Sequence, residues 1–122
     1  MIRVLVVDDQ ELIRDLIGSA LRAAHGIDVI GICVDGQDAL DFVAETRPDV
    51  VLMDLSMPRM DGVEATRRLL ADDPSVRVVI FTVAVHSRQT KAALEFGAVS
   101  CVGKGAHPTE VVRAVRAAVL TR

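Results

Sequence analysis

Residues 49–62 read DVVLMDLSMPRMDG: an apolar run that ends on an acid, then a proline-containing loop, then a helix start. Val50 to Met53 are continuously apolar, as expected of a parallel strand covered on both faces. Asp61-Gly62-Val63-Glu64 has capping-box form, with Asp61 standing in for Ser or Thr. The stretch is therefore one strand–loop–helix unit, and the same unit recurs on either side of it. Upstream, Ile2–Val7 predicts a strand that stops at Asp8 and Asp9. Leu12, Ile13, Leu16, Ile17, Ala20, Leu21 and Ala24 then share a helical face, and Gly26 is placed to end that helix as a left-handed cap. Asp28–Cys33 predicts a second strand. Asp35 caps a helix bearing Ala39, Leu40 and Val43, which Arg47-Pro48 ends because the residue before proline resists helical angles.

The third strand is expected over Asp49–Asp54, and the helix opened by Asp61 carries Val63, Thr66, Leu69 and Leu70 before stopping ahead of Pro74. Downstream, Val76–Phe81 predicts a fourth strand, and Ser87 caps a helix through Ala92, Ala93 and Leu94 to Gly97. Ala98–Gly103 predicts a short fifth strand. Pro108 suits the first turn of a last helix with Val111, Val112, Val115 and Val119 as its buried stripe. Five such units in a row imply an α/β architecture: a doubly wound, five-stranded parallel sheet with five helices on its two faces. Right-handed crossovers favour the order 2-1-3-4-5, with ligands bound beyond the carboxyl ends of the strands. Too few units are present for an eight-fold barrel.

At 122 residues the chain fits one domain, 1–122, and 51% hydrophobic content with mean hydropathy +0.38 argues against disorder. No apolar block approaches the roughly 18–20 residues of a membrane span, and the N-terminus has no secretory pattern, so a cytoplasmic protein is expected. Cys33 and Cys101 stand far apart without zinc spacing and read as reduced, buried thiols. The net charge of −3 and scattered Lys and Arg give this chain no means of gripping nucleic acid by itself.

In this topology the strand ends converge on one rim. Asp8, Asp9 and Asp54 end the first and third runs, Thr82 the fourth and Lys104 the fifth. Each residue alone reads as well as a turn, cap or solvated side chain; together they fall where the fold places its ligand. Two carboxylates ~4 Å apart repel by roughly 4 kcal/mol at an effective dielectric near 20, and a divalent cation removes that cost. Oxygen ligands without His or Cys favour Mg²⁺, which can neutralise an approaching phosphoryl group. Lys104 adds a movable positive charge, and the Thr82 hydroxyl can donate to a phosphoryl oxygen.

VLVVDDQ, DVVLMDLSMPRMDG, VVIFT and the late GK together resemble the receiver domain of bacterial two-component response regulators, over the full length of the chain. The resemblance implies a flavodoxin-like (βα)5 fold and a role for each rim residue. Asp54 would be the phosphoacceptor that takes a phosphoryl group from a sensor histidine kinase. Asp9 and Asp54 would ligate Mg²⁺ directly with the backbone carbonyl of Ser56, Asp8 would act mainly through water, and Thr82 and Lys104 would bind the phosphoryl oxygens. Such a protein catalyses its own phosphorylation and dephosphorylation and serves as a switch, not as a turnover enzyme. VEATRRL after the acceptor loop is most similar to the subfamily with a C-terminal helix-turn-helix DNA-binding domain. No effector domain is expected within 1–122, so DNA would be reached only through a domain outside this chain. Homodimerisation through the last helix is a further expectation from the family, and no membrane partner is expected.

The chain departs from the family pattern at two positions. Cys101 stands three residues before the lysine, where an aromatic is usual, and Val83 follows Thr82, where a smaller residue is usual and a β-branched one could narrow access to Asp54. They prompt an alternative reading as a receiver that works without phosphorylation. Ser56 and Ala84, two residues past Asp54 and Thr82, lie where family members tune dephosphorylation. An aspartyl-phosphate hydrolase would need a second acid at Ser56, and a flavin domain would need a phosphate-cradling loop where Asp8-Asp9 would repel the ligand. His25, His86 and His107 have no metal spacing and read as surface or capping residues. Met57 and Met60 are suited equally to a docked partner and to the sheet rim, and Arg67, Arg68, Arg113 and Arg116 to wet helix faces.

Overall fold

A computed structural model describes residues 1–120. Its elements alternate strictly: β1 (Ile2–Val7), α1 (Glu11–Ala23), β2 (Ile27–Cys33), α2 (Gly36–Thr46), β3 (Val50–Asp54), α3 (Gly62–Asp72), β4 (Arg77–Thr82), α4 (Arg88–Glu95), β5 (Ser100–Gly103) and α5 (Pro108–Ala118). The strands form one parallel sheet in the order β2-β1-β3-β4-β5, as the sequence predicts. Strand boundaries differ from the sequence expectation by one or two residues, because pairing sets them: Arg77 opens β4 opposite Val50, and Thr82 closes it opposite Gly103.

Alternation along the central strands divides the core into two clusters. Leu5, Val7, Val51, Met53, Val78 and Ile80 pack on one face with Ala39, Val43, Ala65, Leu69 and Ala93 of α2, α3 and α4. Val4, Val6, Val50, Leu52, Val79 and Phe81 pack on the other with Ile17, Leu21, Val111 and Val115 of α1 and α5. The continuous apolar runs of β1, β3 and β4 follow from burial on both faces. At the β2 edge one extra residue, Ile30, bulges opposite Val4 and Leu5. Beside it Gly31 lies under Phe42, whose ring would come within 2.2 Å of a Cβ there.

The caps explain the local stops. Asp35, Asp61 and Ser87 each accept a hydrogen bond from the backbone N–H three residues on, at 2.9, 2.9 and 3.1 Å. The capping box at Asp61 closes on one side only, since the Glu64 carboxylate turns to Arg67 and Arg68. Arg47 ends α2 in a left-handed conformation, φ 48°, directly before Pro48. Two expectations for α1 are corrected. Gly26 is left-handed, φ +83°, but α1 has already ended at an extended Ala24, and Gly26 instead shapes the turn whose carbonyl accepts from Ile2 N–H at 2.7 Å. Leu12 and Leu16 are exposed, because the buried stripe runs through Ile17 and Leu21, one residue around the helix from them. Leu94 of α4 is likewise exposed, and Thr90 and Ala93 form its buried face.

Candidate phosphoryl and metal site

The carboxyl ends of β1, β3, β4 and β5 bring the predicted rim residues together. Asp8 and Asp54 are 1% and 2% exposed, Thr82 is buried, and Asp9 faces solvent. Carboxylate oxygens of Asp8, Asp9 and Asp54 lie within 4.8 Å of one another. Lys104 Nζ sits between the two buried acids, 2.8 Å from Asp8 Oδ2 and 3.1 Å from Asp54 Oδ1, and 5.7 Å from the centre of the Phe81 ring. Backbone N–H groups complete the hold: Gln10 donates to Asp8 Oδ1 at 2.9 Å and Ser56 to Asp54 Oδ1 at 3.2 Å.

Burial first, and then the charge of Asp8, raise the Asp54 carboxyl above its ordinary value, against the pull of Lys104. Burial would depress the Lys104 ammonium, but its hydrogen bonds and charge pairing with Asp8 and Asp54 outweigh that and raise it. One oxygen of Asp54 is left over: Oδ2 is buried without a hydrogen-bond partner. An unpartnered carboxylate oxygen inside an all-oxygen acid cluster fits a hard divalent cation.

The loop between β3 and α3 is shaped by close backbone approach. A Cβ at Gly62 would stand 2.0 Å from the Asp54 carbonyl, so only glycine lets α3 start this near β3. Arg59 takes a left-handed φ of 65°, and its guanidinium pairs with the buried Asp35 carboxylate at the start of α2. Met57 and Met60 pack against the core rim. Val83 is 83% exposed, so its branched side chain turns to solvent. Cys33 is buried, its thiol pushed up to about 11 chiefly by burial, whereas Cys101 is only partly buried because β5 is a sheet edge. His107 caps α5 through Nδ1, and Arg67, Arg68 and Arg113 pair with Glu64 or Glu110 on exposed faces.

Sequence reasoning missed Gln10 and Thr90. Gln10 Oε1 accepts from Lys104 Nζ at 3.2 Å, so the residue directly after the acid pair helps hold the lysine. Its adjacency to Asp9 was the available signal. Thr90 reads in the sequence as one more polar residue of α4, with nothing to mark its hydroxyl as buried.

Residues 4–116 match the family described as response regulator receiver domain. The chain belongs to that family. It is 42% identical over 116 residues to the response regulator GacA of Pseudomonas aeruginosa, covering 95% of this chain and 54% of that protein. The receiver domain thus spans about half the length of the curated relatives it matches. Among solved structures, a LuxR-family two-component response regulator from Aurantimonas sp. SI85-9A1 superposes with a TM-score of 0.92 at 34% identity, covering 98% of this chain and 86% of that one. The signal receiver domain of the putative response regulator NarL from Mycobacterium tuberculosis gives 0.90 at 32% identity, covering 99% and 98%. No helix among the described residues of this receiver is long and apolar enough to cross a membrane.

Proposed function

We propose that this receiver domain, residues 1–122, is a Mg²⁺-dependent phosphoryl switch in which Asp54 takes its phosphoryl group from the phospho-histidine of a sensor histidine kinase. The supporting observation is the state of Asp54: a buried carboxylate with one oxygen held by Lys104 and Ser56 N–H, and the other free of partners. The free oxygen is the nucleophile or a metal ligand. Mg²⁺ would be held by Asp9, Asp54 and the Ser56 carbonyl, with Asp8 acting mainly through water, and it supplies neutralising charge when bound. As the Asp54 O–P bond forms, the donor's P–N bond breaks and its imidazole leaves. Lys104 and the Thr82 hydroxyl balance charge on the transferred oxygens. Thr82 Oγ1 accepts from Ala84 N–H at 3.2 Å, which leaves its proton available to a phosphoryl oxygen.

Leu12, Leu16 and Val83 expose apolar surface on α1 and on the residue after β4, which suits a docked kinase. The LuxR-family likeness supports an output through an attached helix-turn-helix domain, with DNA bound there and a homodimer formed through α5. The reading is tested by incubating the protein with Mg²⁺ and acetyl phosphate and measuring intact mass. Phosphate is expected on wild type and none on Asp54→Asn. Wild type that stays unmodified with both acetyl phosphate and a cognate kinase refutes the reading and favours a phosphorylation-independent module.

A further inference from the structure

The loop between β3 and α3 is closed at its base and nearly free at its tip. Gly62 N–H donates to the Leu55 carbonyl at 3.0 Å, which joins the two ends. Beside the base, Ser56 N–H donates to Asp54 Oδ1 at 3.2 Å, so residue 56 borders the acid cluster. Further out, among the described residues, no backbone group of residues 57–60 takes part in a hydrogen bond. Met57 and Met60 lie against the core, but apolar packing is non-directional and does not by itself fix a loop's shape.

The polar hold on the tip comes from a different element. Arg59 Nη2 pairs with Asp35 Oδ2, across 24 residues of sequence. Asp35 is 3% exposed, and its other oxygen accepts from Asp38 N–H at 2.9 Å. The carboxylate is therefore already fixed on the first turn of α2 where Arg59 reaches it. Gly36, the next residue, backs directly onto the tip, since a Cβ there would stand 2.8 Å from the Met60 carbonyl. The start of α2 thus meets the tip at two adjacent points. Arg59 enters this contact with a left-handed backbone, φ 65°, which a residue with a Cβ adopts at a cost and keeps where its surroundings hold it.

We propose that Asp35 and Arg59 are positioning residues for the cation site, their ion pair latching the β3–α3 loop in the conformation that sets Ser56 beside the Asp8, Asp9 and Asp54 carboxylates. Both act through the loop and not as ligands. An unlatched loop has to be ordered as the cation binds, which weakens binding; a latched loop has lost that freedom beforehand. The proposal rests on the Mg²⁺ reading for what the loop helps to bind, whereas the latch is a property of the metal-free chain.

NMR relaxation of the metal-free protein tests the latch first. Backbone order parameters at Met57 and Met60 should be about 0.8 in wild type and below about 0.6 in Asp35→Asn. That substitution keeps an acceptor for Asp38 N–H, so α2 stays capped, but it sets an amide NH₂ against the guanidinium. Arg59→Gly keeps the left-handed backbone without steric cost and removes the tie, so it should loosen Met57 and Met60 in the same way. Arg59→Lys keeps a cation for Asp35 and should stay within about 0.1 of wild type. Unchanged order in Asp35→Asn or in Arg59→Gly overturns the proposal, because the loop would then hold its own shape. The Arg59 side chain is 70% exposed, so its variants leave the core intact and carry the test alone if Asp35→Asn does not fold.

Calorimetric titration with Mg²⁺ is the second measurement. Asp35→Asn and Arg59→Gly should each bind roughly three- to tenfold more weakly than wild type, at or below the low end of what outer partners of a metal site contribute. The double variant should bind no more weakly than the weaker single one, because either substitution opens the same latch. In acetyl-phosphate labelling, the Mg²⁺ concentration giving half the maximal rate should rise by the same factor. The rate at saturating Mg²⁺ should stay within about twofold of wild type. Affinity within about twofold of wild type in both single variants overturns the proposal, as do multiplied losses in the double variant. Wild type that binds no Mg²⁺ removes the cation reading and the positioning role with it, while the relaxation data decide the latch separately.

Discussion

Replacing Lys104 by Met tests whether the crevice is held together by charge. The ammonium lies 2.8 Å from Asp8 and 3.1 Å from Asp54, and these two acids are almost fully buried. Without it, carboxylate oxygens within 4.8 Å of one another face no cation. At an effective dielectric near 20, that separation leaves at least about 3.5 kcal/mol of repulsion per pair, in line with the ~3–5 kcal/mol that breaking a buried ion pair costs. Urea unfolding followed by far-ultraviolet circular dichroism suits a chain without Trp or Tyr. In EDTA at pH 7.5 or so the variant should lose ~3 kcal/mol, and Mg²⁺ at about a hundred times its Kd should return ~2.7 kcal/mol by mass action. The loss should shrink on acidification. A carboxyl whose folded pKa is raised, as that of Asp54 is, binds protons more tightly folded than unfolded, so stability rises as pH falls through it. A loss below ~1 kcal/mol in EDTA, or equal stabilisation of wild type and variant by the same Mg²⁺ concentration, refutes the reasoning.

Three further outcomes are expected. Gly62→Ala places a Cβ 2.0 Å from the Asp54 carbonyl, so it should cost more than ~2 kcal/mol in urea unfolding and slow acetyl-phosphate labelling. Asp9→Asn removes an exposed charge from the acid cluster, so calorimetry should find Mg²⁺ affinity lower by roughly tenfold or more, with Mg²⁺-free stability within ~0.5 kcal/mol of wild type. Asp35→Ala loses the α2 cap and the Arg59 pair and should cost ~1–2 kcal/mol at neutral pH. Its carboxyl is held below the ordinary range, first by the Asp38 N–H and then by Arg59, so the wild-type advantage is present above the unfolded pKa, ~3.9, and lost as pH falls through the folded value.

The strands and their order were legible because β1, β3 and β4 are buried on both faces and therefore read as unbroken apolar runs. The rim residues were legible because each directly follows or closes such a run. Side-chain pairing across the fold was not: Arg59 meets Asp35 across 24 residues and Lys104 meets Gln10 across 94, and neither separation leaves a periodic trace. The buried face of α1 was misjudged for a different reason. Leu12/Leu16 and Ile13/Ile17 are adjacent apolar stripes of the same helix, and periodicity alone does not say which of them meets the sheet. The burial of Thr90 was invisible because polar helix positions are ordinarily wet.

The sheet is one residue thick, and alternate side chains of its central strands feed two separate apolar reservoirs. α4 belongs to the reservoir shared with α2 and α3, while α1 and α5 share the other with Phe81. The molecule can therefore loosen on one side without dissolving on the other. Substitutions on opposite faces should combine additively, and a lineage of such chains could retune the α4 side for a new listener while the α1–α5 side keeps the chain folded.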